Sequence, residues 1–253
     1  MRVGNRFKGK IVIVTGSSLG VGRATAICLA ERGASVAVVA RNFERVKVVQ
    51  EEIRNSGGQA VAVEADVAKE GDVTTMVNKT LNAFGAIDFL VNNAGVGPQA
   101  VFSELEPAEW DRVLGVNLRG PYLCCREVFP HMKARGKGAI VNVSSLAARS
   151  SSYFGGAHYT ASKAGLLGLT RHIAREMAPY RIRVNAVCPG PVLTPMFEEN
   201  PGVELSKEIA SKIALGYISQ PEEQARVIAF LLSDEASYIT GATIDSNGGL
   251  LMV

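Results

Sequence analysis

A tyrosine and a lysine four positions apart are the first residues of this chain whose types and spacing suggest chemistry. They are Tyr159 and Lys163, in the stretch "AHYTASKAG". The stretch has a helical pattern, and residues four apart on a helix lie on the same face. A nearby ammonium favours the phenolate, so we expect Lys163 to lower the pKa of Tyr159 and make it a proton donor or acceptor near neutral pH. An ordinary contact on an exposed helix is the alternative, and the pair alone does not decide.

A glycine-rich segment near the N-terminus is typical of a nucleotide phosphate site. Gly16, Gly20 and Gly22 in "TGSSLGVG" follow an apolar run and open a helical pattern. Glycines let the backbone turn sharply and approach a pyrophosphate, and a helix N-terminus offers N–H groups to the anion. The alternative is a tight turn without a ligand. Because the segment follows the first of several alternating strands, we interpret it as a dinucleotide site.

The end of the second strand pattern indicates which dinucleotide is bound. An acidic residue there would bind a free ribose 2′-hydroxyl, whereas an arginine accommodates a 2′-phosphate. The chain reads "VVARN", with Ala40 followed by Arg41, and the next carboxylate is Glu44. This pattern favours NADP(H), with an arginine that merely faces solvent as the alternative. Asp66, which closes the third strand pattern, is expected at the adenine edge.

The elements that must position these residues alternate along the chain. Helical patterns with Pro107 and Pro221 in first turns, and with Gly33 and Gly57 at helix ends, separate short β-branched runs. Such alternation predicts one α/β domain over 1–253, a doubly wound parallel sheet (Rossmann fold) of about seven strands with helices on both faces. The strand patterns cover 11–16, 35–40, 59–66, 87–95, 138–145, 182–190 and 243–249, and the helical patterns cover 20–32, 43–56, 70–84, 107–134, 158–179 and 221–232.

Composition narrows the class of protein. The 253 residues are 47% hydrophobic and 20% charged with a net charge of +3, which is globular composition and gives no support for a nucleic-acid partner. The N-terminal apolar run is too short for a signal peptide or a membrane span, so we expect a cytoplasmic protein. The four cysteines and three histidines have no metal-ligand spacing. Buried thiols and no metal are therefore expected.

Several ordered motifs together resemble the short-chain dehydrogenase/reductase family over essentially the whole length. They are "TGSSLGVG", "NNAG" at 92–95, the asparagine of "VLGVNLRG", "VNVSS" at 141–145, "YTASK" at 159–163 and "CPGPVLTPM" at 188–196. Within the family the chain looks most like the 3-oxoacyl-carrier-protein reductase branch. The resemblance implies a ketone reductase or alcohol dehydrogenase without a metal. A catalytically silent dinucleotide-binding regulator and an epimerase or dehydratase on the same fold are the competing classes.

The resemblance also implies the roles of individual residues. Tyr159 would exchange a proton with the substrate oxygen, Lys163 would lower the phenol pKa and bind the nicotinamide ribose, and Ser145 would donate to the oxygen. Asn117 would hold a water in a proton relay to Lys163. The residues expected to contact NADP(H) are Gly16, Ser17, Ser18, Gly20, Val21, Gly22, Arg41, Asn42, Asp66, Val67, Asn93, Ala94, Gly95, Tyr159, Lys163, Pro189, Gly190, Val192 and Thr194.

The chain departs from the family pattern in two places. Ser145 lies 14 residues before Tyr159, whereas the usual spacing is 13, so we expect the loop between them to absorb one residue. Ser144 is the backup candidate, and its side chain should point to the other side of the strand. The C-terminal motif reads "DSNGG", with Asn247 where an aspartate often precedes the glycines. We expect no loss of activity from it.

The segment 195–219 is expected to be a mobile lid over the substrate. Its apolar residues, together with Tyr153 and Phe154, suit an apolar or acyl-like carbonyl compound, and packing onto the protein body is the alternative. An acyl carrier protein as partner is acidic and would require a basic rim around the mouth of the substrate site. The basic side chains that could form this rim could equally be ordinary cations at helix ends. The long helices at 107–134 and 158–179 and the C-terminal "GGLLMV" predict a homodimer or homotetramer. The lid residues named for this role are Met196, Phe197, Leu205, Ile209 and Ile213, and the rim residues are Lys133, Arg135, Lys137, Arg171, Arg175 and Arg181.

Overall fold

A seven-stranded, entirely parallel sheet forms the centre of the molecule. We describe it from a computed structural model that covers residues 6–152, 155–198 and 203–252. The strand order is β3-β2-β1-β4-β5-β6-β7, which confirms the predicted doubly wound sheet. The strands are β1 Ile11–Thr15, β2 Ser35–Ala40, β3 Gln59–Glu64, β4 Phe89–Asn92, β5 Gly138–Val143, β6 Ile182–Pro189 and β7 Thr243–Ser246.

Helices follow most strands and cover both faces of the sheet. The described helices are α1 Gly20–Glu31, α2 Phe43–Asn55, α3 Glu70–Phe84, α4 Pro107–Leu114, α5 Gly120–Arg135, α6 Ala157–Met177, α7 Pro195–Glu198, α8 Val203–Lys212 and α9 Pro221–Leu232. Pro107 and Pro221 lie in first turns, as expected. Gly33 and Gly57 follow helix ends with φ of 94° and 81°, the left-handed region that glycine tolerates best. No described helix is long and apolar enough to cross a bilayer.

The predicted helix 107–134 is interrupted. Between α4 and α5 the chain makes a π turn over Gly115–Arg119, so the helical stretch runs from Pro107 to Arg135 with one widened turn. Such π turns insert one residue into a helix and are frequent at functional sites. The widened turn contains Asn117, which brings that side chain inward.

Two apolar cores lie on the two faces of the sheet. The first is built from α1, α2 and α9 against β1, β2 and β5, and the second from α3, α5 and α6 against the same sheet. The strands are nearly continuous buried apolar runs, as a sheet covered on both faces requires. Most of the predicted strand patterns extend past the last paired residue of the strand, into the loop that follows. These loops gather at the carboxyl edge of the sheet.

Candidate active site

A cleft of about 890 Å³ runs along the carboxyl ends of the strands. This is where doubly wound sheets bind ligands. Most residues expected to contact the cofactor line it, together with Ser145, Tyr159 and Lys163. The expected residues found in the lining are Gly16, Ser18, Gly20, Val21, Arg41, Asn42, Asp66, Val67, Asn93, Ala94, Gly95, Pro189, Gly190, Val192 and Thr194.

Two glycines of the loop are packed too tightly to be replaced by residues with a side chain. Gly16 has a φ of 64°, and a Cβ there would lie 2.7 Å from the Cα of Ala94. A Cβ on Gly22 would lie 2.2 Å from the carbonyl oxygen of Gly16, so Gly22 serves helix–loop packing. The loop leads directly into α1, whose first N–H groups face the same end of the sheet.

Thr15 and Asn93 lock the glycine loop to the end of β4. The Thr15 Oγ1 accepts hydrogen bonds from the main-chain N–H groups of Asn93 and Ala94 over 3.0 and 3.1 Å. The Asn93 Nδ2 donates to the carbonyl oxygens of Thr15 and Gly16 over 3.1 and 3.0 Å. The "NNAG" motif therefore positions the floor of the cleft through its side-chain and main-chain hydrogen bonds.

Ser17 was expected in the cofactor site, but its side chain is not available there. The residue is fully buried, and its hydroxyl donates to the carbonyl oxygen of Val14 over 2.7 Å. The Ser17 Oγ also accepts from the N–H of Val39 over 2.8 Å. Ser17 therefore ties β1 to β2 through its hydroxyl, and it does not line the cleft.

The far end of the cleft carries two arginines. Arg41 is exposed beside Asn42, whose Oδ1 accepts from the N–H of Arg45 over 3.0 Å and caps α2. Arg45 also lines the cleft. The sequence reasoning missed Arg45, although a position four residues after Arg41 in the first turn of a helix was a usable signal. Asp66 lies at the same end, where its Oδ1 accepts from the N–H of Ala68 over 3.0 Å.

Tyr159, Ser145 and Lys163 come together at the other end. Ser145 and Tyr159 line the same wall of the cleft, and Ser145 acts to lower the pKa of the phenol. The Lys163 Nζ lies 5.8 Å from the centre of the Tyr159 ring and donates to the carbonyl oxygen of Val143 over 2.8 Å. A phenol, a hydroxyl and an ammonium thus share one wall of the cleft.

The pKa shifts of this group differ from the expectation that Lys163 lowers the Tyr159 pKa. Burial raises the pKa of Tyr159 above its ordinary value, and the nearby Ser145 hydroxyl opposes that rise. Burial lowers the pKa of Lys163 to about 8. The lysine is therefore the group that titrates closest to neutral pH, and the phenol keeps its proton there.

The two adjacent serines have different surroundings. Ser144 is buried, and its hydroxyl donates to the carbonyl oxygen of Lys163 over 2.9 Å, towards α6. Ser145 is half-buried and faces the cleft beside Tyr159. The opposite orientations agree with the expected alternation at the end of a strand. Ser145 therefore remains the candidate for contact with a substrate.

Asn117 lies behind the cleft wall and does not line the cleft. Its side chain is 1% exposed, and its Oδ1 accepts from the N–H of Val96 over 2.9 Å. Its Nδ2 donates to the carbonyl oxygen of Val96 over 2.8 Å and to the Ser162 hydroxyl over 3.1 Å. A Cβ built on Gly95 would lie 3.3 Å from the Asn117 Oδ1 and 3.4 Å from the Lys163 Nζ. Asn117 and Lys163 therefore flank Gly95.

Two glycines make a slot for the Tyr159 ring. A Cβ on Gly97 would lie 3.0 Å from the ring carbons Cδ2 and Cε2, and one on Gly155 would lie 2.7 Å from Cδ1. Any side chain at Gly155 would push the ring from its present position. These glycines stand outside the recognised motifs, so the sequence offered little signal for their role.

The substrate end of the cleft is lined mainly by small and apolar residues. Leu146, Ala147, Pro191, Met196 and Phe197 are among them. Phe197, Ile209 and Ile213 are buried in a cluster with Leu250, so part of the expected lid packs on the protein body. Tyr153 and Phe154 lie outside the described residues, and the side chain of Leu205 is also not described.

The sequence left open whether the basic side chains form a rim at the mouth or are ordinary helix ends, and the structure favours the helix ends. α5 ends at Arg135, and Arg181 immediately precedes β6, so these cations lie at the amino edge of the sheet, opposite the cleft. Arg135 donates to the buried Asp88 over 3.2 Å, and Lys133 lies over the Tyr180 ring at 4.5 Å. Strand direction explains this placement, because the end of a helix leads to the start of the next parallel strand. The cations that line the cleft are Arg41, Arg45, Arg112 and Lys163.

All four cysteines are free thiols, and Cys124, Cys125 and Cys188 are buried, as expected. Burial raises the pKa of Cys125 to about 12 and also raises that of Cys188. Among the described residues no group of three or more His, Cys, Asp or Glu side chains is placed to hold a metal ion.

Comparisons with known proteins find relatives that are similar in sequence and in structure. Residues 16–251 match a family model described as "Enoyl-(Acyl carrier protein) reductase". The chain is 40% identical over 244 residues to the 3-oxoacyl-(acyl-carrier-protein) reductase FabG of Staphylococcus aureus, covering 96% of this chain and 98% of that one. A crystal structure of a 3-oxoacyl-(acyl-carrier protein) reductase from Brucella melitensis superposes with a TM-score of 0.94 at 36% identity, covering 100% of this chain and 95% of that one. Another from Brucella melitensis, described with bound NAD, gives a TM-score of 0.93 at 36% identity with the same coverage.

Proposed function

The chain belongs to the short-chain dehydrogenase/reductase family, and on that premise we propose that it reduces 3-oxoacyl thioesters with NADPH. As a member of the family it is an oxidoreductase that acts on CH–OH groups and binds a nicotinamide dinucleotide. The observation that carries the proposal is the grouping of Tyr159, Ser145 and Lys163 in one cleft with two arginines at the opposite end.

The residues of the cleft fit a dinucleotide with a 2′-phosphate. The glycine loop and the N-terminus of α1 offer main-chain N–H groups to the pyrophosphate. Arg41 and Arg45 offer guanidinium groups to the 2′-phosphate, and no carboxylate stands at Ala40 to repel it. At the other end the nicotinamide, when bound, supplies the hydride. The residues proposed to hold that ring and its ribose are Tyr159, Lys163, Pro189, Gly190, Val192 and Thr194.

Tyr159 and Ser145 act on the substrate oxygen in this proposal. The Tyr159 Oη gives its proton to the carbonyl oxygen while the carbonyl carbon gains its new C–H bond. The product is a secondary alcohol. The Ser145 hydroxyl donates to the same oxygen and stabilises the charge that develops on it. Because burial keeps the pKa of Tyr159 high, the phenol is protonated and ready for reduction at neutral pH.

Lys163 and Asn117 restore the proton of Tyr159. The Lys163 Nζ is near the phenol and has a pKa of about 8, so it can pass on a proton near physiological pH. Asn117 is proposed to hold the relay to Lys163 beside Gly95, because a Cβ built there would lie 3.3 Å from the Asn117 Oδ1 and 3.4 Å from the Lys163 Nζ.

A ketone fits this site better than an enoyl double bond. The phenol and the hydroxyl offer two donors on the same wall of the cleft, which suits an oxygen atom. The apolar lining beyond them suits an acyl chain, and segment 195–219 is proposed to close over it. An acyl carrier protein is the proposed source of the thioester. The cytoplasmic location stays a prediction from the sequence.

We also propose that the enzyme is a homodimer or homotetramer. An open apolar groove on the surface of α4, α5 and α6 supports the pairing of subunits. Sedimentation at micromolar concentration measures the oligomeric state. The groove is lined by Asp111, Leu114, Gly115, Leu118, Arg119, Tyr122 and Leu169.

The test is a substrate panel followed by NADPH absorbance. It contains a 3-oxoacyl thioester, the matching 2-enoyl thioester, a cyclic diketone, a sugar and a steroid. The proposal expects the 3-oxoacyl thioester to give the highest kcat/KM and the enoyl thioester to give no turnover. A preference for another carbonyl compound would overturn the assigned substrate. If no compound in the panel led to oxidation of NADPH, the assignment as an NADPH-dependent reductase would be wrong.

A further inference from the structure

Arg149 and Asp245 form an ion pair that the mechanism does not use. The Arg149 Nε lies 3.2 Å from the Asp245 Oδ1, and the two side chains are 31% and 23% exposed. The pair joins two elements far apart in the chain. Arg149 follows Ser145 by four residues, and Asp245 lies in β7, where it is in register with Cys188 of β6.

Arg149 closes the turn that carries Ser145. The N–H of Ala147 donates to the Ser145 hydroxyl over 3.2 Å, and the N–H of Ala148 donates to its carbonyl oxygen over 2.9 Å. The N–H of Arg149 donates to the carbonyl oxygen of Leu146 over 2.9 Å. This single turn is a short 3₁₀ element, which by itself has weak hydrogen-bond geometry.

The sheet gives this turn two fixed points. On one side Ala148 packs against the buried cluster of Leu167 and Cys188. On the other side the ion pair ties Arg149 to β7, whose residues pair with β6. After Arg149 the chain continues to α6, which begins at Ala157 and carries Tyr159.

We propose that Arg149 and Asp245 are positioning residues for Ser145. Their ion pair fixes the end of the serine turn to the sheet, so that the Ser145 hydroxyl stays beside Tyr159. This inference rests on the proposed function, because it assigns Ser145 a role in turnover.

The expected effect is on turnover and not on stability. A partly exposed ion pair contributes little to folding. A displaced hydroxyl, in contrast, loses its alignment with the substrate oxygen, and small displacements reduce rates strongly. We expect a fall in kcat of about threefold to tenfold for a broken pair, with an unchanged KM for NADPH, whose site lies along the glycine loop.

The test uses charge reversal and its rescue. Arg149→Glu and Asp245→Arg are each expected to lower kcat, and the double variant that exchanges the two charges is expected to recover most of it. Arg149→Gln and Asp245→Asn give milder versions that keep the test usable if a reversal variant does not fold. Arg6→Glu is the matched control, because Arg6 pairs with Glu235 over 2.7 Å at an exposed site on other elements. It is expected to leave kcat unchanged.

The Ser145→Ala background distinguishes positioning from a general loss of structure. If the pair acts through Ser145, adding Arg149→Glu to Ser145→Ala lowers kcat no further. Equal kcat in wild type and both single variants would overturn this inference alone, as would a further fall in the Ser145→Ala background or no rescue by the exchange. A wild-type enzyme without ketone reduction would overturn the proposed function and this inference with it.

Discussion

The Ser144 hydroxyl donates to the main-chain carbonyl oxygen of Lys163 over 2.9 Å, and the Nζ of the same lysine donates to the carbonyl oxygen of Val143 over 2.8 Å. The end of β5 thus holds Lys163 at both its backbone and its side chain. Ser145, the next residue along, has turned to the cleft. Two adjacent hydroxyls therefore have separable duties, one in holding α6 and one beside Tyr159.

Substitution of each serine by alanine should separate these duties. Ser144→Ala removes a buried hydrogen bond, so we expect a loss of about 1–2 kcal/mol of unfolding free energy. Ser145→Ala should lower kcat by roughly tenfold or more with little change in stability, because a donor to the developing charge is lost. Chemical denaturation and steady-state kinetics measure the two effects. The reverse pattern, with kcat lost only in Ser144→Ala, would make Ser144 the substrate contact.

Arg41 and Arg45 should determine the choice of cofactor. Removal of a charge-assisted contact to the 2′-phosphate costs about 1.5–3 kcal/mol. We therefore expect Arg41→Ala to lower kcat/KM for NADPH by about tenfold to a hundredfold and to leave NADH nearly unaffected. Arg45→Ala should act in the same direction, and Arg54→Ala, at the other end of α2, is the control. Equal use of NADH and NADPH by the unchanged enzyme would contradict the assignment.

The buried Lys163 ammonium should lower the free energy of unfolding of the protein. Its pKa is lowered to about 8 by burial, while an unburied lysine titrates at 10.5. The unfolded chain therefore binds more protons between these values, and this lysine makes stability rise with pH across that window. Below about pH 8 the penalty is complete and amounts to at most about 3 kcal/mol, less the hydrogen bond to Val143.

Lys163→Met should therefore be inactive yet at least as stable as wild type at pH 7. We expect its unfolding midpoint without added cofactor to rise by about 2–6 °C. The advantage should shrink as the pH rises from 8 to 10.5. Thermal unfolding at several pH values measures it, and a large fall in the midpoint at pH 7 would show that the buried ammonium stabilises the fold.

Gly155 should control the position of the Tyr159 ring. A Cβ there would lie 2.7 Å from the ring carbon Cδ1, so Gly155→Ala must displace the ring. We expect kcat to fall by about tenfold to a hundredfold while NADPH still binds. Gly168→Ala in α6 is the control, since its Cβ would meet nothing within 4 Å. Unchanged kcat in Gly155→Ala would mean that the ring does not need the slot.

The sequence was sufficient for the sheet, because buried parallel strands are apolar runs that can be recognised without a structure. It was also sufficient to group Ser145, Tyr159 and Lys163, since each lies in a motif with a known place on the sheet. It could not show that the Ser17 hydroxyl bridges two strands. It failed also for the pKa of Tyr159, because burial is a property of the folded chain.

The sequence could not decide between a basic rim and ordinary helix ends for Arg135 and Arg181, because the choice depends on strand direction. Both residues lie at the amino edge of the sheet. The π turn that carries Asn117 was also not foreseen. Its single inserted residue leaves no mark on a 3.6-residue periodicity over so short a stretch.

Tyr159→Phe tests the central claim most directly, because it removes only the hydroxyl that is proposed to move the proton. The measurement is kcat with NADPH and the 3-oxoacyl thioester, alongside NADPH binding by fluorescence. We expect kcat to fall by about 10²–10⁴-fold with cofactor binding intact, the loss typical of a general acid. Turnover within a factor of about five of wild type, with binding intact, would contradict the mechanism.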